Sequence, residues 1–112
     1  MSTVNQLQIV APIQLAGADA SVYQSPTNTT VKIGRAVFCN TTAGALTITA
    51  GITTGGALAA ATTLISARSI AAGESYVSPE LAGAVIPAGS QLHAFASAAT
   101  SVTFTASGLA IV

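Results

Sequence analysis

Apolar and polar residues alternate along most of the chain, which is the period of a β-strand rather than that of a helix. This alternation predicts strands over residues 31–39, 46–50, 64–70, 74–77, 91–96 and 102–111. Turns rich in Gly, Ala and Thr separate the segments, and no stretch has the pattern of a long amphipathic helix. The sequence therefore predicts an all-β fold, a single small jelly-roll-like β-sandwich.

Three local features refine this prediction. The odd-numbered residues from Val31 to Cys39 are mostly apolar and are expected on one face of their strand. Near the end of the chain the apolar positions change from even to odd, which predicts a β-bulge at Ser107-Gly108. The stretch FCNTTAGALTITAG, residues 38–51, is expected to form a hairpin at the edge of the sandwich, and residues 57–63 a loop.

The N-terminal stretch QLQIVAPIQLAG also has a strand pattern, but Pro12 cannot donate a hydrogen bond within a sheet. Two interpretations follow: an edge strand of the same sandwich, or an arm that adds to a neighbour's sheet. We therefore divide the chain into an N-terminal arm or edge strand, residues 1–29, and a β-sandwich domain, residues 30–112. The candidate partner-binding residues are Leu7, Ile9, Ile13 and Leu15.

If these four side chains are buried only in an assembly, deleting residues 1–16 should leave the sandwich folded and weaken its attachment to a partner. The composition also favours assembly, because 51% of the 112 residues are hydrophobic and only 5% are charged. An ordinary soluble domain has about 25% charged residues. With zero net charge, little repulsion keeps copies apart, and the sequence predicts a homodimer.

Candidate chemistry is sparse. His93 is the one histidine and lies in a predicted strand, as does the one cysteine, Cys39, which excludes an internal disulfide. Glu74 and Glu80 have no partner acid at a predictable spacing. The sequence predicts no catalytic, cofactor or metal site and no small-molecule substrate, and hence a protein that is not an enzyme.

Other partner classes are disfavoured by composition. Three scattered cations cannot neutralise a phosphate track, so no nucleic-acid partner is expected. The apolar runs are far shorter than the roughly 18 residues that cross a bilayer, so no membrane partner is expected either. The N-terminal residues lack the features of a secretory signal, which predicts a protein made and kept in the cytosol.

Three segments of the chain resemble a known family: VKIGRAVFCNTTAGALTITAGI, IAAGES and IPAGSQLHAFASAATSVTFTASGLAIV. They are similar to small β-sandwich virion proteins of tailed bacteriophages, and most of all to capsid decoration (cement or staple) proteins of short-tailed double-stranded DNA phages. The shared order is a strand ending in Asn-Thr-Thr, a Thr-rich hairpin, a Pro-x-Gly-type turn, then Ala-Ser-Ala-Ala and a Val-rich strand that closes on Ser-Gly. The resemblance covers about residues 31–112.

This resemblance implies a structural virion protein without enzymatic activity. It would bind the outer capsid surface through the major capsid protein, bridge capsomers as a dimer or other symmetric oligomer, and stabilise the DNA-filled head. It would be synthesised in the host cytoplasm and end on the capsid exterior. Related sandwiches occur in phage tails and fibres, so a tail or fibre component is the alternative, with a non-enzymatic ligand-binding module as the third interpretation.

Overall fold

Strands joined by turns and loops make up the described part of the chain. The computed structural model describes residues 4–58 and 62–111, apart from the side chain of Leu7. This part of the chain contains nine strands and no helix. The strands are β1 (Val4–Gln14), β2 (Ser21–Gln24), β3 (Thr30–Asn40), β4 (Leu46–Thr53), β5 (Thr63–Ile70), β6 (Ser75–Val77), β7 (Val85–Ile86), β8 (Gln91–Ala96) and β9 (Val102–Ile111).

Two antiparallel sheets form the sandwich. Sheet A has the order β1-β9-β3-β6, with the short β7 also paired to β3, and sheet B has the order β2-β8-β4-β5. Most successive strands lie in opposite sheets, the exceptions being β4–β5 in sheet B and β6–β7 in sheet A. The first strand lies beside the last, which is the jelly-roll arrangement. The predicted all-β, jelly-roll-like sandwich is confirmed. The short strands β2 and β7 were absent from the sequence-based prediction.

The core lies between the sheets and uses few aromatic side chains. Phe38 of β3 and Phe104 of β9 lie at its centre, with ring centroids 4.6 Å apart. Small and branched residues fill the remaining space, which suits a thin sandwich whose sheets approach closely. The buried apolar partners include Val31, Ile33, Ile48, Ala50, Ile65, Ile70, Leu81, Ile86, Leu92, Ala94, Ala96, Val102 and Ala106.

The turn after β3 corrects the hairpin prediction for residues 38–51. β3 belongs to sheet A and β4 to sheet B, so this connection crosses the sandwich. Asn40, which is fully buried, organises the crossing: its Nδ2 donates to the carbonyls of Gly44 (2.8 Å) and Ile70 (3.1 Å), and its Oδ1 accepts from the Thr42 amide (2.9 Å) and hydroxyl (2.7 Å). An Asn side chain that binds its own turn is a recurrent way to reverse the chain.

The bulge predicted at Ser107-Gly108 of β9 lies instead in the paired strand, β3. Ile33 pairs with Gly108 and Arg35 with Ser107, so the extra residue is Gly34 of β3. β9 keeps its alternation, and its odd residues near the C-terminal end remain on the solvent side. Past the bulge, β3 changes face, so Ala36 and Phe38 are buried rather than the odd-numbered residues that the alternation had favoured.

The N-terminal strand β1 is an edge strand of sheet A in the same chain. It pairs with β9 from Val4↔Ile111 to Gln14↔Thr103, with register shifts on both sides of Val10. These irregularities break the predicted odd-position stripe, and Ile9 and Val10 are both buried. Of the two interpretations, the structure has the first, in which β1 is an edge strand of the same sandwich. The domain boundary at residues 29/30 stays a prediction.

Candidate interaction surface

The solvent side of sheet A carries several exposed apolar side chains. The pairing register aligns Val4 with Ile111, and Leu109 with Lys32, which in turn lies opposite Val85. Val4 is 56% exposed, Val85 48%, Leu109 37% and Ile111 36%. We call this side the outer face of sheet A; it also includes Gln6, Arg35, Val37, Val77, Thr105 and Ser107, which share its register.

A groove of about 600 Å³ crosses this face at the Gly34 bulge. β1 contributes Gln6 and Gln8, β3 contributes Gly34 and Arg35, and β9 contributes Ser107, Gly108 and Leu109. We call it the bulge groove. Its volume is within the range of about 300–1,000 Å³ that is typical of ligand-binding clefts.

The close approach of β9 to β3 under this groove requires glycine at position 108. A Cβ on Gly108 would lie 2.0 Å from the carbonyl oxygen of Lys32 and 2.9 Å from the amide nitrogen of Gly34. Both neighbours are backbone atoms and cannot turn away as a flexible side chain would. The floor of the bulge groove is therefore main chain, and side chains rise only around it.

Two of the three cations of the chain, Lys32 and Arg35, are on this face, and both are exposed. Within the described residues neither forms an ion pair, and no acidic residue lines the bulge groove. The outer face of sheet A is thus apolar with a local excess of positive charge.

The carboxylates of the chain are held elsewhere by specific partners. Asp19, between β1 and β2, accepts from Nδ1 of His93 (2.8 Å) and from the amide of Leu58 (3.0 Å). The His93 hydrogen bond holds the pKa of the Asp19 carboxyl below its usual 3.8. Nε2 of His93 lies 2.8 Å from the side-chain oxygen of Gln91, so both ring nitrogens are engaged.

A second polar cluster lies on the opposite side of the sandwich, where β5 of sheet B meets β6 of sheet A. The guanidinium of Arg68, on β5, lies 4.1 Å from the ring centroid of Tyr76, on β6. The Tyr76 hydroxyl donates to Glu80, and this hydrogen bond holds the pKa of the Glu80 carboxyl below its usual 4.5. Burial, followed by the effect of Glu80, raises the pKa of Tyr76. Arg68 therefore links the edge of sheet B to the edge of sheet A.

The remaining candidates for chemistry are dispersed. In residues 4–58 and 62–111, no three His, Cys, Asp or Glu residues approach closely enough to hold a metal ion. Cys39 is half-buried in β3, and Glu74 accepts a hydrogen bond from the amide of Ala71 (3.0 Å). The same part of the chain lacks a helix with the length and apolar character that crossing a membrane requires.

The four predicted partner-binding residues do not form one exposed stripe. Ile9 (6% exposed) and Leu15 (1%) are in the core of the same chain, which corrects the expectation that they are buried only in an assembly. The reason is that β1 is an edge strand of the chain's own sandwich, so side chains on its inner face pack into the core between the sheets. Ile13 is 38% exposed at the edge, and the side chain of Leu7 lies outside the described part. Their contacts with a partner stay a prediction.

The bulge groove was not predicted from the sequence. Its features come from β1, β3 and β9, which are far apart in the chain and are brought together only by the pairing register. One signal was available in the sequence: Lys32 and Arg35 flank a glycine in one predicted strand of a chain with almost no charge.

Comparisons with known proteins show the fold. No protein-family model matches the chain, and neither does any curated protein. A chain from the structure of infectious bursal disease virus Gx strain matches with a TM-score of 0.57 and 18% identity, over 99% of this chain. The VP2 subviral particle of that virus matches with a TM-score of 0.57 and 19% identity, over 98%.

The match spans only part of those proteins. This chain covers 33% of the Gx strain chain and 32% of the VP2 chain, about a third of their length. At these identities the likeness concerns the β-sandwich alone.

Proposed function

We propose that this chain is a structural virion protein without enzymatic activity, which binds the outside of a phage capsid and bridges its capsomers. The observation that carries the proposal is the outer face of sheet A, where apolar side chains are 36–56% exposed on a chain with 5% charged residues. Contiguous exposed apolar surface marks sites of protein interaction. The jelly-roll fold, which recurs in virus-particle chains, supports the same proposal.

In this proposal the major capsid protein is the partner, and the chain is made in the host cytoplasm before it joins the capsid exterior. A cement protein adds an interface that exists only in the assembled particle. Repeated over a capsid, even contacts of the standard size of about 1,600 Å² oppose the outward pressure of packaged DNA. Such a role needs neither a cofactor nor a small-molecule substrate.

We further propose a homodimer formed through β1. Its outer edge has no strand partner in the described chain, and Val4 to Leu7 pair with β9 in unbroken register. An uncharged edge of this kind accepts another strand. Antiparallel pairing of β1 with β1 of a second copy would give a closed two-fold dimer.

Cryo-microscopy of purified particles that contain this protein tests its location. We expect density of the sandwich on the capsid exterior, between capsomers, at positions repeated by the capsid symmetry. Particles assembled without the protein should lose this density and release DNA at a lower temperature. Density confined to the tail would refute the capsid location and favour the tail-component alternative.

A further inference from the structure

We propose that the bulge groove is an acceptor site for a carboxylate, and that its occupant is an acidic loop of the protein partner, with an Asp or Glu side chain bound by Arg35. The inference rests on the proposed function only in naming a particle protein as the partner.

Arg35 is exposed beside the groove with neither an ion-pair partner nor a hydrogen-bond acceptor within the described residues. The other arginine, Arg68, is stacked on Tyr76. A guanidinium has a planar set of donors that matches a carboxylate in two parallel hydrogen bonds. The bulge at Gly34 places Arg35 directly opposite Ser107 on the solvent side, at the wall of the groove.

The rest of the groove suits a polypeptide segment. Its floor at Gly34 and Gly108 is main chain, and Gln6 and Gln8 place side-chain amides on the opposite wall. The side-chain amides can both donate to and accept from a peptide backbone, and a glycine floor lets that backbone approach closely. Leu109 adds an apolar wall that is continuous with Ile111 and Val4 on the outer face of sheet A.

Other occupants fit less well. Carbohydrate sites usually offer aromatic rings for stacking, whereas Phe38, Tyr76 and Phe104 all face the interior side of sheet A. Two cations are too few to follow a nucleic-acid backbone. A second copy of this chain is disfavoured because its carboxylates, Asp19, Glu74 and Glu80, each accept hydrogen bonds within the chain.

The first experiment uses particles assembled without this protein and measures the binding of added full-length chains. Arg35→Gln should bind about 10- to 100-fold more weakly than the unmodified chain, because a charge-assisted hydrogen bond is lost. Arg35→Lys should be intermediate, since it keeps the charge but not the two-pronged geometry. Arg68→Gln is the matched control: it removes the same charge at β5 and, at concentrations at which it does not aggregate, should bind normally.

The second experiment needs no particles. The ¹⁵N-labelled chain is titrated with the capped peptide Thr-Val-Glu-Thr-Val and with its Gln analogue, while the amide signals are followed. We expect the Glu peptide to bind at least about tenfold more tightly, with shifts centred on Gly34, Ser107 and Gly108 that disappear in Arg35→Gln. Raising the salt concentration should weaken this binding.

The outcomes separate the two proposals. If the unmodified chain and Arg35→Gln bind particles equally, the groove inference is overturned and the virion role stands. If the unmodified chain does not bind particles, the capsid role fails and the peptide titration alone decides the groove. Equal binding of the Glu and Gln peptides, or shifts confined to other residues, would overturn the carboxylate site.

Discussion

The strands β1 and β5 are both sheet edges, but they differ in how far they are protected against pairing with another chain. β5 has a bulge, with Ala67 at a φ of 47° between the pairs Ile48↔Arg68 and Ala50↔Ile65. Its neighbour Arg68 reaches across the sandwich to Tyr76. A bulge and an inward-pointing charge are both known ways to keep an edge from pairing with another chain. β1 has no charged residue at all.

This difference indicates where the molecule is open to its own copies. β1 has Pro12 and register shifts in its C-terminal half, but from Val4 to Leu7 its pairing with β9 is continuous. The unprotected part of β1 is therefore one short uncharged segment at one end of sheet A. An open segment of β1 that pairs with its own copy would form a closed two-fold contact, as in the proposed dimer.

The largest effect is expected from removing β1 altogether. Deleting residues 1–16 takes Ile9, Val10 and Leu15 out of the core and leaves β9 without its neighbour. Each side chain stabilises the fold by about 1.5–3 kcal/mol, and a whole domain has only about 5–15 kcal/mol. The structure thus reverses the expectation from sequence: the truncated chain should lose its cooperative thermal transition and its β-type circular dichroism.

A matched pair of substitutions makes this test more specific. Leu15→Ala, at a buried site, should cost about 2–5 kcal/mol of unfolding free energy, whereas Ile13→Ala, at a 38% exposed site, should cost much less. Denaturant unfolding measures both. A truncated chain that folds with unchanged stability would show that β1 is a dispensable arm.

The reversal shows how far sequence patterning reaches in this protein. Alternation was enough to locate β3, β4, β5, β8 and β9, because regular strands with one buried face have a period of two. It failed at Gly34 and around Val10, where an extra residue turns the following side chains to the other face. A bulge is a property of two paired strands, and alternation within one strand does not identify its partner.

The bulge groove could not be predicted from the sequence for the same reason. The groove exists because Gly34, Gly108 and Gln6 are adjacent in the pairing register, although their separation in sequence is large. The polar clusters at Asp19–His93 and Tyr76–Glu80 differ in this respect. The second is local, within a few residues, while the first joins residues 74 positions apart.

The second prediction concerns adding a charge to the open edge of β1, which would protect it as Arg68 protects β5. Asn5 lies opposite Ala110 and is exposed, so Asn5→Lys would add a charge to the unbroken segment of β1 without touching the groove lining. We expect the proposed dimer to dissociate to the 10.9 kDa monomer, as measured by light scattering at micromolar concentration. Gln14→Lys, beyond Pro12, is the control and should leave the dimer intact. A monomeric unmodified chain would contradict the proposed edge contact.

The third prediction removes the protection from β5. Arg68→Ala loses a cation–π contact worth about 0.5–1 kcal/mol at an exposed site, so the melting temperature should fall slightly. The more informative result is association: the uncovered edge should make the chain aggregate faster at high concentration. The double change with Tyr76→Leu should show a coupling energy of the same size as the single loss. Additive effects would mean that Arg68 and Tyr76 do not interact in solution.

The smallest effect is expected from the carboxylates at the two sides of the sandwich. Asp19, beside β1 and β2, and Glu80, beside β6, both have a pKa held below the usual value in the folded chain. Each therefore contributes stability that is present above the unfolded pKa, 3.8 for Asp19 and 4.5 for Glu80, and that is lost as the pH falls through the lower folded value. Because both sites are partly exposed, each contribution should be about 1 kcal/mol or less.

Thermal unfolding of Asp19→Asn, Glu80→Gln and the unmodified chain, from pH 6 to pH 2, measures these contributions. Each variant should be less stable than the unmodified chain above pH 4.5, and the difference should disappear at the acid end. A difference that stays constant with pH would assign the loss to packing or neutral hydrogen bonds rather than to the ionised carboxylate.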